Sequence, residues 1–246
     1  MPSFKDHFSR QATAYSRYRP AYPPELVVYV ASLAPSRLVA IDCATGSGQA
    51  AVALAGHFER VIAVDGSVPQ LIRALPAAGV QYVAGLAEQL PLRSGCAELV
   101  AAAQAAHWFD LERFYAECRR VLRPGGLVAA WTYGKFHVDR ALDAVVDHFY
   151  VDVVGRFWPP ERRYVEAGYR NLPFPLDEEP APDFTLVTEW DLEQALGYFG
   201  SWSAVQRCRD STGGDPLPAL RRALEPHWAG RLRRLDWPLH LRLGRV

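Results

Sequence analysis

Two acidic residues end consecutive apolar segments, and a glycine loop follows the first of them. The first segment reads VAIDCATGSG from Val39 to Gly48, and the second reads VIAVDGS from Val61 to Ser67. In an open α/β sheet, a glycine loop after one strand and a carboxylate at the tip of the next strand grip an adenosine-containing cofactor. Asp65 is the carboxylate expected to hydrogen-bond the ribose. The sequence therefore predicts a site for a nucleoside cofactor.

The elements that must position this site alternate as β and α units. After the strand that begins at Val39, further strands are predicted at Val61–Val64, Val80–Ala84, Glu98–Ala102 and Leu127–Tyr133. Apolar residues at steps of three and four predict helices over Glu25 to about Leu33 and over Leu111–Leu122. The second helix should end at the RPGG turn, Arg123–Gly126, because glycine accepts positive φ without steric strain. An α/β fold with a doubly wound, mostly parallel sheet is expected.

The regular alternation ends after Gly134. A helix is predicted over Phe136–Arg156, followed by a segment rich in proline and aromatic residues that reads as an irregular insert. Strands over Phe184–Trp190 and Trp237–Arg242 and helices over Asp191–Phe199 and around Leu217–Leu235 should complete the fold. The expected division is a helical N-terminal cap at 1–24, a cofactor-binding core at 25–135, a substrate-specificity insert at 136–183 and a C-terminal part at 184–246 that completes the sheet.

Composition and charge favour small-molecule chemistry in one α/β domain. Half of the 246 residues are hydrophobic and the formal net charge is zero, so no global field attracts a polyanion such as DNA or an acidic membrane surface. Four dispersed cysteines form no CxxC pair, which argues against a zinc site or a thioredoxin-type motif and for reduced, buried thiols. Because no signal-peptide or membrane-spanning run is present, a cytoplasmic location is expected.

The glycine loop also admits a nicotinamide dinucleotide. Gly46, Gly48 and Ala51 satisfy a loose GxGxxA fingerprint, with Asp65 downstream as the ribose acceptor. Asp42 argues against that interpretation, since a pyrophosphate would meet an uncompensated carboxylate where an ammonium group would be attracted. Residues 43–45 also separate the glycine loop from the end of the strand, which the dinucleotide fingerprint does not require. The RPGG turn, in addition, has no special role in dinucleotide folds.

A series of motifs resembles those of class I S-adenosylmethionine-dependent methyltransferases. In chain order they are DCATGSGQ, VIAVDGS, GLAEQLPL, ELVAAAQAAHWFD and RVLRPGGLVAAW, all between Tyr15 and Tyr133. Within that superfamily the chain is most similar to the small-molecule type 11 group, including trans-aconitate methyltransferase-like enzymes, which share the YRPAYP leader and the HWFD. The resemblance implies a Rossmann-like, seven-stranded fold, S-adenosylmethionine as cofactor and no metal.

The resemblance also implies roles for individual residues. The residues expected to hold the cofactor are Asp42, Ala44, Gly46, Gly48, Asp65, Gly66, Ala87, Glu88, Gln104 and Ala105. Three positions depart from the family pattern. Ala44 replaces a glycine, which is tolerable only with negative φ; Leu86 replaces an acidic residue that often contacts the adenine amine; and Gly66 replaces a larger apolar residue.

Methyl transfer from a sulfonium is an in-line displacement, so catalysis can come largely from orientation in a dry pocket. His107 is the candidate base for a hydroxyl or amine acceptor, with a pKa expected in the useful range. The alternative is that His107 is a hydrogen-bonded wall residue beside Trp108, and this alternative is preferred because no partner is evident. A carboxylate acceptor would need no base, and Arg17 or Arg19 would then hold the anion.

The residues assigned to the acceptor site are Tyr15, Arg17, Tyr18, Arg19, Tyr22, Trp108 and Tyr133. The three tyrosines before Pro23 have even odds of only packing the cap. Nucleic acid is an unfavoured substrate, because AAAQAAHW stands where enzymes that methylate flipped bases carry a proline-proline-aromatic motif. The expected function is methyl transfer to a small molecule, O-methylation slightly preferred. The alternatives are an NAD(P)-dependent oxidoreductase and a non-catalytic cofactor binder, and the oligomeric state is left open.

Overall fold

The parallel half of the sheet follows the predicted alternation of strands and helices. The structure, a computed structural model, describes residues 18–246. Its first five strands are β1 (Val39–Cys43), β2 (Arg60–Asp65), β3 (Val80–Ala84), β4 (Ala97–Ala103) and β5 (Leu122–Tyr133). They pair in parallel in the order β3-β2-β1-β4-β5. The strand order reverses between β1 and β4, and open α/β sheets bind ligands outside the carboxyl ends of the strands at such a point.

Antiparallel strands complete the other half of the sheet. The long strand β8 (Arg233–Arg245) pairs with β5, and its outer edge carries β7 (Phe184–Trp190) and then the short β6 (Asp177–Glu179). The doubly wound, mostly parallel α/β fold is therefore confirmed. The described residues form eight strands rather than the expected seven, and the additional one is the three-residue β6.

Helices cover both faces of the sheet. In chain order they are α1 (Pro24–Leu33), α2 (Gln49–Ala55), α3 (Val68–Ile72), α4 (Leu111–Val121), α5 (Arg140–His148), α6 (Arg162–Glu166), α7 (Leu192–Gly200), α8 (Ser203–Thr212) and α9 (Leu217–Trp228). Successive strand residues point to opposite faces, so Ile41 packs with α4 on one face and Ala40 with α1 and α2 on the other. A third cluster, rich in aromatic rings, joins α5 and α7–α9 to the end of β5.

The helix α4 forms as predicted, but the RPGG segment does not separate it from β5. Asp110 caps the helix by accepting a hydrogen bond from Arg113 N at 3.4 Å. The strand begins directly afterwards at Leu122, opposite Ala97, and its pairing resumes with Leu127 opposite Leu99. The glycines are accommodated in this irregularity, since Gly125 has a φ of 75°. The predicted start at Leu127 was therefore wrong by five residues.

The C-terminal third departs further from the sequence predictions. The helix α5 begins only after Asp139, whose side chain caps Ala141 N and Leu142 N, and it continues as a wider turn over Phe149–Val153. The helix α8 was not predicted. Only Ala204, Val205 and Cys208 of this helix are buried, so its sequence carries a short apolar pattern.

The last helix and the last strand also have different bounds. The helix α9 ends at Trp228, because Ala229 and Gly230 adopt left-handed φ values of 47° and 70°. The strand β8 then begins at Arg233, four residues earlier than predicted, since it pairs with the full length of β7.

All four cysteines are buried and free, as expected. Within 18–246, no helix is both long and apolar enough to span a membrane. In the same range, histidine, cysteine and acidic side chains form no group of three or more that could hold a metal ion.

Candidate active site

The tips of β1 and β2 are joined by hydrogen bonds at the carboxyl edge of the sheet. Thr45 N donates to Val64 O at 3.0 Å, and Gly46 N donates to Asp65 Oδ2 at 2.8 Å. The other carboxylate oxygen, Asp65 Oδ1, accepts from Ser67 N at 2.7 Å. The predicted loop and the predicted acid therefore lie together, and backbone N–H groups fix the orientation of the carboxylate.

The loop between β1 and α2 has three residues with left-handed backbone. Gly46 and Gly48 have φ values of 56° and 85°, which glycine adopts without strain. Ala44 has a φ of 54°, so the expectation of negative φ at this position was wrong. A Cβ atom on Gly46 would meet nothing within 4 Å among the described residues, so no atom of residues 18–246 fills the space next to the loop there.

Tyr82 of β3 covers the loop, a contact that the sequence did not reveal. A Cβ atom on Gly48 would lie 2.2 Å from Tyr82 Oη. Tyr82 Oη donates to Leu75 O at 2.5 Å, and Leu75 N donates to Ser47 O at 3.0 Å. The second half of the loop is thus held against β3, and glycine is required at position 48 by space as well as by φ.

The carboxyl group of Asp42 is fully buried beneath the loop. Its Oδ2 accepts from Thr45 Oγ1 at 2.6 Å, while Oδ1 has no hydrogen-bonding partner among the described residues. Burial raises the pKa of Asp42 to about 7, against the lowering effect of the Thr45 hydroxyl, and the nearby Asp65 raises it further. The orphaned oxygen and the raised pKa describe a site that a bound cation would stabilise in its ionised form.

The end of β4 is tied to the end of β5 by Gln104. This residue has a left-handed φ of 56° and donates from its backbone N to Trp131 O at 2.9 Å. Its side-chain Nε2 donates to Tyr133 O at 2.8 Å, and its Oε1 accepts from the Thr132 hydroxyl. The side chain of Gln104 is therefore engaged with β5, and Ala105 is buried beside it. Backbone strain of this kind is concentrated at functional sites.

His107 has a partner that was not anticipated. His107 Nδ1 lies 2.7 Å from the hydroxyl oxygen of Tyr169, which belongs to the irregular segment and is fully buried with a φ of 61°. Burial, assisted by the positive charge of Arg162, lowers the pKa of His107 to about 3. The expectation of a useful pKa was therefore wrong, and His107 is neutral near pH 7.

A tight turn carries two of the residues assigned to the cofactor. An antiparallel bridge joins Leu86 to Gln89, with Ala87 buried and Glu88 half-buried between them. Glu88 Oε1 accepts from Asp110 N at 3.1 Å, so the turn is attached to the start of α4. Gly66 is half-buried immediately after Asp65. These residues surround the carboxyl ends of β2, β3 and β4.

The described part of the cap lies across this edge of the sheet. The Tyr22 ring packs 5.5 Å from the Trp131 ring and 6.4 Å from the Tyr133 ring, centroid to centroid. The Arg19 guanidinium lies 5.3 Å from the Tyr198 ring, and Gln49 Nε2 donates to Arg19 O at 3.2 Å.

Of the four remaining residues assigned to the acceptor, two are among the described residues and two are not. The Tyr18 ring packs against Gly197, and the Trp108 ring lies 4.7 Å from the His107 ring. Tyr15 and Arg17 lie outside the described residues.

Comparisons with known proteins agree with this architecture. A family model described as "Methyltransferase domain" matches residues 41–130. A protein named as a methyltransferase from Dictyostelium discoideum is 33% identical over 225 residues, which cover 90% of this chain and 86% of the relative. A malonyl-[acyl-carrier protein] O-methyltransferase from Nitrosospira multiformis is 48% identical over 56 residues, 22% of this chain and 18% of that protein.

A solved structure resembles almost the whole chain. It is described as a type II methyltransferase from Anaeromyxobacter dehalogenans, has 47% identity and a TM-score of 0.86, and the match covers 93% of this chain and 98% of the other. The matches therefore extend through the irregular segment as well as the parallel half of the sheet.

Replacing Asp42 by asparagine should stabilise the protein in a pH-dependent way. The folded pKa of Asp42, about 7, exceeds the ordinary aspartate pKa of 3.8, so the folded state loses stability as pH rises between these two values, by at most about 4 kcal/mol. Asp42→Asn should raise the free energy of unfolding at pH 8 and should change it little at pH 4. Urea titrations at both pH values measure this difference.

Glu98→Gln is the matched control for Asp42→Asn. Glu98 is also buried, but it pairs with Arg123 and accepts from Val39 N at 2.6 Å. Replacing the Glu98 carboxylate by an amide leaves Arg123 without its ion-pair partner and should destabilise the fold at pH 8. A pH-independent effect of Asp42→Asn would contradict the assignment of a raised pKa.

Glycine substitutions in the loop should have opposite effects on stability. Ala44→Gly relieves left-handed strain and should stabilise by roughly 0.5–1 kcal/mol. Gly48→Ala adds that strain and a clash with Tyr82, and should destabilise by about 2 kcal/mol or more. Adding Tyr82→Phe to Gly48→Ala should recover part of the loss. Thermal denaturation of the four proteins measures these changes, and equal effects at positions 44 and 48 would refute this account of the loop.

Proposed function

We propose that this chain, which belongs to the class I S-adenosylmethionine-dependent methyltransferases, transfers the methyl group to a small-molecule acceptor, with an oxygen atom preferred over nitrogen. The observation that carries the proposal is the hydrogen bond that joins the Gly46 loop to the Asp65 carboxylate, at the point where the strand order reverses. This arrangement fits S-adenosylmethionine better than the nicotinamide dinucleotide that we considered, since the buried Asp42 carboxylate favours a cation above the loop.

The residues assigned to the cofactor act together in this proposal. Asp65 accepts the ribose hydroxyls, and the backbone of Ala44, Gly46 and Gly48 approaches the methionine end, above the charge of Asp42. Gly66, Ala87 and Glu88 border the adenine, and Gln104 and Ala105 form the floor of the transfer site. When bound, the cofactor supplies an electrophilic methyl group on a positively charged sulfur.

Oxygen is preferred because the site provides only a weak base. A protonated amine must lose a proton before it attacks, whereas a carboxylate is already ionised near pH 7. The lowered pKa of His107 makes it a poor proton acceptor, so we keep the interpretation of His107 as a hydrogen-bonded wall residue rather than the base. The matched segment of the malonyl-[acyl-carrier protein] O-methyltransferase supports oxygen as the acceptor atom.

The proposal also assigns a role to each segment of the chain. Segment 25–135 binds the cofactor, and 184–246 completes the sheet. The cap at 1–24 and the insert at 136–183 select the acceptor, since Tyr22 and Tyr169 bring them to the transfer site. The trans-aconitate methyltransferase-like subgroup remains a hypothesis about that acceptor, and we place the reaction in the cytoplasm, with no metal and no nucleic acid.

Asp65→Ala should weaken the binding of S-adenosylhomocysteine at least tenfold, about 1.4 kcal/mol. The substitution removes the expected ribose acceptor and also releases Gly46 N and Ser67 N. Calorimetric titration of folded protein measures the affinity, with NADH as the competing ligand and Glu98→Gln as the control for loss of a buried carboxylate elsewhere. Unchanged affinity, or tight binding of NADH alone, would refute the proposed site.

The His107 imidazole should remain neutral from pH 8 down to pH 5, because burial opposes its protonation. The ring chemical shifts of His107, assigned with a His107→Gln variant and followed by NMR across this range, should not titrate. A titration midpoint of the His107 ring above pH 6 would contradict the interpretation of His107 as a hydrogen-bonded wall residue and would restore it as a candidate base.

A further inference from the structure

A cleft of about 350 Å³ lies beyond the end of β5. Its walls are Gly134 and Lys135, the turn over Phe149–Val153, the helix α6 and the part of β8 around Pro238. Gly134 directly follows Tyr133, whose ring contacts Tyr22 of the cap. The cleft therefore begins at the edge where the strand ends converge.

The side chain of Arg162 is held in a fixed orientation at this cleft. Its Nε donates to Tyr150 Oη at 2.6 Å, and Tyr150 Oη in turn donates to Glu166 Oε1 at 2.6 Å. The guanidinium carbon lies 4.4 Å from the Trp158 ring centroid and 5.3 Å from the Tyr150 ring centroid. Stacking and one hydrogen bond thus fix the plane of the guanidinium before any ligand arrives.

The outer edge of this guanidinium is open. Among residues 18–246, Nη1 and Nη2 of Arg162 have no hydrogen-bonding partner, and no carboxylate forms an ion pair with them. Another arginine of the chain closes the same edge on a carboxylate: Nη1 and Nη2 of Arg221 contact the two oxygens of Glu193. Arg162 presents a fork of the same geometry to the cleft.

The other titratable groups that line the cleft are paired or neutral. Lys135 forms an ion pair with Asp147, His137 Nδ1 lies 3.2 Å from Asp143 Oδ2, and Glu166 accepts the hydroxyl of Tyr150. Burial lowers the pKa of His240, which favours its neutral form. Among the cleft residues within 18–246, Arg162 is therefore the cation available to a ligand, and the nearby Glu166 disfavours a doubly charged phosphate. A planar carboxylate with a single negative charge fits this balance best.

Arg162 is also adjacent to the predicted transfer site, because its helix α6 packs against the turn at Ala106–Trp108 that carries His107, with Val165 and Ala106 in one core cluster. The positive charge of Arg162 accordingly contributes to the lowered pKa of His107. We propose that the methyl acceptor is a small carboxylic acid and that Arg162 binds its carboxylate in this cleft. The inference rests on the proposed methyltransferase function. It adds Arg162, which lines this cleft, to Arg17 and Arg19 as candidates for the anion site.

The test measures acid binding separately from turnover. Protein saturated with S-adenosylhomocysteine is titrated calorimetrically with benzoate, phenylacetate and glutarate, and with the corresponding amides. At least one acid should bind at least tenfold more tightly than its amide. Arg162→Met should reduce the affinity for that acid at least tenfold, and Arg162→Lys should give an intermediate loss because it keeps the charge but not the fork.

Arg163→Met is the matched control, because Arg163 is on the same helix but exposed and stacked on Tyr164 at 4.9 Å. It should change acid affinity less than twofold, and all variants should remain folded at the temperature of the titration and should keep the wild-type affinity for S-adenosylhomocysteine within twofold. Equal binding of acids and amides, no binding of any acid, or unchanged affinity in Arg162→Met would overturn the inference.

Turnover of S-adenosylmethionine with the same compounds distinguishes the two proposals. Methyl transfer to neutral acceptors only, insensitive to Arg162→Met, would overturn the carboxylate inference and leave the proposed function intact. Acid binding that depends on Arg162, with no cofactor binding in the glycine loop, would refute the proposed function and leave the anion site.

Discussion

The hydrogen bond from Gly46 N to the Asp65 carboxylate is the constraint on which the site depends. It joins the loop after β1 to the tip of β2, and it requires the parallel register that places Cys43 opposite Val64. A slip of one residue in that register would reverse the faces of the side chains on β2 and remove the carboxylate from the loop. The packing of both sheet faces therefore sets the geometry of a contact made at the edge.

The same site carries destabilising features close together. Asp42 is buried without a full set of partners, and Ala44 and Gln104 adopt left-handed backbone. Each is unfavourable for the protein alone, and the surrounding β1, β4 and β5 strands are buried well enough to sustain them. Under the proposed function, a cationic ligand would convert this cost of burying Asp42 into binding energy, so the residue would lower the stability of the free protein and raise its affinity for the ligand.

The parallel strands and the two acidic tips were predictable because their signals are local. Apolar runs such as 61–64 and their terminal acid lie within one segment, and four of the five first strands were placed to within about one residue at each end. The φ of Ala44 and the start of β5 were not predictable from the sequence, since both depend on hydrogen bonds to other strands. Tyr82, Arg162 and Tyr169 carry no local signal, because each acquires its role from a contact outside its own helix, strand or turn: Tyr82 with Gly48, Arg162 with Tyr150 and Tyr169 with His107.

The insert between the end of β5 and the start of β7 begins and ends beside the same residue of β8. Tyr133, the last residue of β5, and Phe184, the first residue of β7, both pair with Leu239, and only the three-residue β6 of the chain between them joins the sheet. An excursion with closely spaced anchors can change in sequence and length without disturbing the register of the strands that carry the glycine loop. Under the proposed function, acceptor specificity can therefore evolve through changes in one contiguous piece of chain, while the strands that carry the cofactor loop keep their register.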